Sequence, residues 1–264
     1  MKDVRFITRA DDAGSSLSAN AAIARVIRAG FIKNVSVMAP GAFLSDAAER
    51  LCCNKKVCFG MHATINAEWD HVKWGPVSDI GKQSGLADEN GFFLPDPALF
   101  EKTAPRVETI LREYDAQLDA LTRAGFDIRY VDSHMLPERF VPGLDEAVAD
   151  WAKRHGLIDH MYFYRLPEGF LETAKEPKQL FKALINIPNG QYFFLIHPAL
   201  YGEEMLRTGN AQVTGEEVAR SRNGEAKLFS SRLTGLSLRT LGIRPIRYDE
   251  AEQRERVKLS DLPF

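Results

Sequence analysis

Two adjacent carboxylates, Asp11 and Asp12, follow the apolar run Val4-Arg5-Phe6-Ile7-Thr8, and three histidines occupy the same kind of position further along. His62 follows Val57-Cys58-Phe59-Gly60, His134 follows Ile128-Arg129-Tyr130-Val131, and His197 follows Tyr192-Phe193-Phe194-Leu195-Ile196. Carboxylate oxygens and imidazole nitrogens together suit a divalent cation. A second carboxylate beside the first can take a proton from water activated there. The Asp pair thus has a natural division of labour, one residue binding and the other acting as base. The plainer alternative is that Asp11 or Asp12 caps the helix beginning near Ser16. His197 precedes Pro198 and suits general-acid work, since imidazole titrates near a pH of about 6.5. Asp132 is expected to orient His134 or an adjacent loop.

Further residues suggest substrate contacts. Glu68, Trp69 and Trp74 lie just past His62 and could form a sugar-stacking wall with a polar neighbour. The alternative is that both indoles pin this segment to the core. Arg9 and Arg165 sit at strand ends, where each could steady Asp11 or hold a substrate anion or hydroxyl. Surface ion pairs are the simpler reading for both. His71, His155 and His160 read as incidental, His155 as a helix C-terminal cation.

These residues need a scaffold that brings strand ends together, and the sequence alternates strand and helix signals for nearly its whole length. Strand patterns fall at 4–8, 35–38, 57–61, 128–132, 161–165, 191–196 and 243–248. Helical spacing is read over 16–29, 43–54, 105–125, 144–155 and 177–187, with a last helix ending near Leu241 after a polar segment at 201–224. About seven parallel strands predict a distorted or incomplete (β/α) barrel of the TIM type, with an open doubly wound sheet as runner-up. Strand carboxyl ends share one face in either arrangement. The stretch Asn66–Ala104, rich in glycine and proline, breaks the alternation and is expected to be a substrate-covering loop within a single domain, 1–264.

Composition narrows the class. The chain has 264 residues, 45% hydrophobic and 27% charged, with a formal charge of −2. That balance gives no electrostatic reason for a nucleic-acid or anionic-membrane partner. No run approaches the roughly 20 apolar residues of a membrane span. Cys52, Cys53 and Cys58 are an odd number with two adjacent, which argues against a disulfide framework and for reduced thiols in a cytoplasm. A homodimer is left open.

Asp-Asp-x-Gly after the first strand, Gly-x-His after the third, Asp-Ser-His after the fourth and a late His-Pro-Ala resemble the YdjC-like carbohydrate deacetylases, which include the chitooligosaccharide deacetylases. Four motifs in matching order span about the first 200 residues. The resemblance implies a TIM-like barrel that hydrolyses an N-acetyl group from an amino sugar or short oligosaccharide. It further implies one divalent ion, Mg²⁺ first and Zn²⁺ second, held by Asp12, His62 and His134, with Asp11 as base and His197 as acid. This chain departs from the pattern in reading Met135-Leu136-Pro137-Glu138 where further histidines are usual, Arg9 where asparagine is common and Ala13 where an aromatic is common. A phosphorylated sugar held by Arg9, Lys73 or Arg165 therefore stays among the expected substrates. The competing functions are a metal-dependent phosphodiesterase or phospho-disaccharide hydrolase, a non-haem iron oxygenase using two histidines and one carboxylate, and a non-catalytic sugar-binding protein.

Overall fold

The computed structural model describes residues 3–80, 84–165, 182 and 184–262. Strand β1 runs through Val4–Ala13 and is buried along almost its whole length. A strand covered on both faces usually reads as a near-continuous apolar run, but β1 also buries Thr8, Arg9, Asp11 and Asp12. The other strands are β2 (Asn34–Val37), β3 (Cys58–Ala63), β4 (Ile128–Ser133), β5 (Ile158–Asp159), β6 (Gly190–Ile196) and β7 (Ile243–Ile246). All their pairings are parallel, in the order β5-β4-β3-β2-β1-β6, with β7 also on β1.

Three neighbours crowd β1. Strand β6 lies along it from Val4 to Ala10. A strand has two edges, so β7 and β2 share the other: β7 pairs with Val4–Ile7, and β2 with Arg9, Ala10 and Ala13. Among the described residues β5 and β6 end the sheet without pairing to each other. The expected incomplete barrel is therefore present as a curled parallel sheet.

Six helices of eight or more residues are described: α1 (Leu17–Ala29), α2 (Leu44–Leu51), α3 (Val107–Arg123), α4 (Leu144–Arg154), α5 (Gly215–Ser230) and α6 (Arg232–Thr240). Helix α1 shows how sharply local chemistry sets the ends. The Ser16 side chain accepts from the Ala19 N–H, and Gly30 closes the helix at φ 92°, a left-handed conformation open to glycine. Between them Ile23, Val26 and Ile27 face the sheet, all buried.

Three details differ from the sequence expectation. The fifth strand is Ile158–Asp159, earlier than the apolar run 161–165, because Asp159 turns back to accept the Met161 N–H at 2.9 Å and starts a 3₁₀ turn. The last helix is two helices, broken at Ser231, whose backbone is extended. Helix α5 also begins inside the stretch read as a polar loop, at a capping box in which Thr214 and Glu217 satisfy each other's N–H groups. The expected helix at 177–187 lies largely outside the described residues.

The excursion after His62 has little regular structure, yet it is packed. Leu86, Phe93 and Phe100 are buried in it. Buried Glu113 of α3 accepts the Val77 and Ser78 N–H groups, each at 2.9 Å. Leu94 and Phe93 bond back to the Leu86 and Trp74 carbonyls. The segment is thus held by hydrogen bonds both within itself and to α3, with apolar side chains of its own buried. Cys52, Cys53 and Cys58 are free thiols. Among the described residues no helix is long and apolar enough to cross a membrane.

Candidate metal centre

The carboxyl ends of β1, β3 and β4 deliver Asp12, His62 and His134 to one point. His62 lies within β3, and His134 follows β4, its N–H bonded to the Ala63 carbonyl at 2.9 Å. Neighbours on a strand ordinarily point to opposite faces. Asp12 escapes this alternation because its backbone is left-handed, φ 67°. A non-glycine residue in that region is strained, and such strain collects at functional sites. Asp11 and Asp12 can thus both serve the same end of the sheet.

The far nitrogen of each imidazole is already taken. His62 Nδ1 lies 3.1 Å from Asp132 Oδ2, and His134 Nε2 lies 2.9 Å from Glu68 Oε2. A carboxylate on one ring nitrogen holds the proton there and leaves a lone pair on the other. Those two near nitrogens, His62 Nε2 and His134 Nδ1, are 3.1 Å apart. They sit 3.5 and 3.8 Å from Asp12 Oδ1, a buried oxygen with no hydrogen-bond partner. Three ligand atoms therefore face one another, an arrangement that can hold a shared cation. The circle through atoms with these separations, 3.1, 3.5 and 3.8 Å, has a radius of about 2.0 Å, a normal Zn²⁺–N or Zn²⁺–O bond length. The residues fit a divalent ion. A proton is the competing occupant: burial works against charge on His62, but Asp132 and Asp12 outweigh it and raise its pKa to about 10. The other oxygen of Asp12 is held by Arg222 Nη1 at 2.7 Å. Burial opposes its ionisation, yet Arg222 and His62 keep the carboxyl well below its ordinary range.

A second grouping adjoins the first. Arg9 binds both oxygens of Asp11, Nε to Oδ1 at 2.6 Å and Nη2 to Oδ2 at 2.7 Å. Its Nη1 reaches Asp132 Oδ2 at 2.9 Å and the Tyr248 hydroxyl at 3.3 Å, and the guanidinium covers the Phe193 ring at 4.7 Å. Of the two roles read for Arg9, steadying Asp11 is the one its contacts show, and at 3% exposure it is directed at these groups. His160, read as incidental, is buried 3.4 Å from Arg9 Nη1; burial first and Arg9 next lower its pKa to about 4. Asp132 contacts His62 where His134 was expected, because His62 is its direct cross-strand partner.

His197 follows β6 with Nε2 4.0 Å from Asp11 Oδ2 and its side chain 38% exposed, the most open of the group. Its backbone N–H is held by Glu225 Oε2 at 2.7 Å, a carboxyl whose pKa burial raises. Trp69 and Trp74 are both buried in the main core. The Trp74 indole donates to the Asn66 carbonyl at 2.7 Å, with its ring 6.1 Å from His134. Trp69 faces the Arg222 guanidinium at 5.7 Å. Lys73 donates to the Ala67 carbonyl at 3.0 Å, and Arg165 is exposed after β5. Sequence reading missed Arg222, Glu225 and Tyr248. The Thr214-Gly215-Glu216-Glu217 capping signature could have revealed the helix that carries the first two.

The sequence profile of the family described as YdjC-like protein matches residues 5–234. A carbohydrate deacetylase of Oceanobacillus iheyensis is 24% identical over 174 residues, which is 66% of this chain and 67% of its own. Among solved structures, an Enterococcus faecalis V583 protein described for cellobiose-phosphate cleavage superposes with a TM-score of 0.76 at 17% identity, covering 94% of this chain and 98% of that one. The catalytic domain of a peptidoglycan N-acetylglucosamine deacetylase from Eubacterium rectale ATCC 33656 gives 0.51 at 9% identity, covering 98% and 94%. At such identities these two likenesses speak for the fold.

Proposed function

The chain belongs to the YdjC-like family, and on that premise we propose that it is a metal-dependent deacetylase removing an N-acetyl group from an amino sugar or short oligosaccharide. The observation that carries this reading is the convergence of His62 Nε2, His134 Nδ1 and the unpartnered Asp12 Oδ1. The deacetylase named among its relatives supports the substrate class. Two imidazoles and one carboxylate suit Zn²⁺ better than Mg²⁺, which prefers oxygen ligands.

Asp12, His62 and His134 would hold the ion. When bound, the cation supplies Lewis acidity that polarises the amide carbonyl and eases deprotonation of the attacking water. Asp11 takes that proton. Arg9 fixes the orientation of its carboxylate, and burial keeps bulk water away. His197 protonates the departing amine nitrogen. Its greater exposure puts it at the open side, within 4.0 Å of Asp11, so base and acid flank one small space. The buried indoles support this space as walls, and Glu68 acts on His134 in place of a sugar.

The test is an acetate-release screen over N-acetylated sugars and oligosaccharides, with protein stripped of metal and reloaded with Zn²⁺, Mg²⁺ or Mn²⁺. Acetate release that depends on the added ion is expected. Asp11→Asn should keep the ion and lose about 10²-fold in kcat, the scale of general-base removal. Turnover insensitive to chelation would overturn the proposal. Cleavage of a phosphorylated disaccharide without acetate would replace it with the phospho-disaccharide hydrolase.

A further inference from the structure

Helix α5 places Arg222 and Glu225 three residues apart, hence on one face, and both reach the site. Arg222 Nη1 binds Asp12 Oδ2 at 2.7 Å, while Glu225 holds the His197 backbone. The Arg222 side chain is 14% exposed and Asp12 only 4%, so this ion pair is shielded from water. The guanidinium rests over Trp69, and the Arg222 carbonyl accepts the Ala199 N–H at 3.3 Å. The arginine is thus fixed at both its backbone and its tip.

We propose that Arg222 is a positioning residue that makes Asp12 a one-oxygen ligand of the metal centre. The inference rests on the Asp12–His62–His134 reading. With Oδ2 committed to Arg222, only Oδ1 is free to face the two imidazoles. Asp12 needs such a hold, because its left-handed backbone is strained and its carboxylate would otherwise turn about the side-chain bonds. Trp69 then serves as a floor for the guanidinium. Removing Arg222 takes a positive charge away from the cation, which favours binding, and also releases the ligand, which disfavours it. Orientation wins in this account, since partners that fix a metal ligand are commonly worth 10–100-fold in metal affinity.

The experiment measures Zn²⁺ dissociation constants by competition with a chromophoric chelator for wild type, Arg222→Gln, Arg222→Lys, Asp12→Ala and the Asp12→Ala/Arg222→Gln double variant, with circular dichroism as the folding check. Arg222→Gln should bind Zn²⁺ about 10–100-fold more weakly. Arg222→Lys should recover part of the loss, because it restores the charge without the planar fork; it also decides the matter if the Gln variant does not fold. The double variant should bind as weakly as Asp12→Ala alone. Wild-type or tighter binding by Arg222→Gln would show that the arginine only competes with the metal. A further loss on adding Arg222→Gln to Asp12→Ala would show an action that bypasses Asp12. If Asp12→Ala itself binds normally, the metal-site reading fails first, and this inference with it.

Discussion

Two groupings of acids and imidazole share His62, and in each the ligand atoms lie within 4.8 Å of one another. Asp12, His62 and His134 make one; Asp11, His62 and Asp132 make the other. Distance alone would admit a metal to either. In the second, Arg9 already binds Asp11 through two contacts and Asp132 through a third. In the first, Arg222 is on the far oxygen of Asp12, and Oδ1 is left with the two ring nitrogens. The lesson is that the two groupings differ in which lone pairs lack a donor, a distinction that spacing alone does not draw.

The largest effect should come from Asp12→Ala, which removes the oxygen ligand. Losing several kcal/mol of charge stabilisation corresponds to a fall in turnover on the order of 10³-fold or more, checked by acetate release at saturating Zn²⁺. Retained turnover would erase the contrast between the groupings. Arg9→Met tests the other grouping through stability. It strands Asp11 as a buried uncompensated charge and leaves Asp132 with His62 as its ion-pair partner, with an expected cost of about 3–5 kcal/mol, read from the urea midpoint. A near-neutral result would mean that Arg9 is dispensable as a counter-ion.

Glu138 sharpens the rule because it has neither kind of cation. Ser133 bonds one of its oxygens, while the other is buried without a partner, and burial raises its pKa from an ordinary 4.5 to about 7. A carboxyl whose folded pKa is raised binds its proton more tightly when folded. Its contribution is complete below the unfolded pKa and is lost as pH rises through about 7. Between those values the steepest slope is about 1.4 kcal/mol per pH unit. Urea titrations from pH 5 to pH 8 should show wild type losing more stability than Glu138→Gln; parallel slopes would contradict the assignment.

Most of the scaffold was legible because each site-bearing strand is an apolar run that stops at Asp or His. Helix α1 was legible at both ends from Ser16 and Gly30. What escaped depended on contacts between distant segments. The apolar letters of 161–165 look like a strand, but the Asp159 side chain ends the strand before them. Trp69 and Trp74 among charged neighbours look like a sugar wall, and only packing shows that both are buried. Asp132 was paired with the wrong histidine because adjacency in sequence hid the cross-strand neighbour. Arg222 and Glu225 were invisible for a different reason. Their helix has a weakly apolar face, and their partners lie 210 and 28 residues away.

The division of the β1 edge between β2 and β7 has a consequence for synthesis. Strand β1 is made before every other strand of the sheet, and the neighbour covering its first half comes only at Ile243–Ile246. Tyr248, which closes over Arg9, comes later still. A nascent chain that has already produced Asp11, Asp12, His62 and His134 therefore keeps half of a β1 edge open, a surface that recruits strands from other chains. Translation products that stop short of β7 would carry all three proposed metal ligands and still be prone to associate with one another. The first strand of this sheet has its edge completed by the last one.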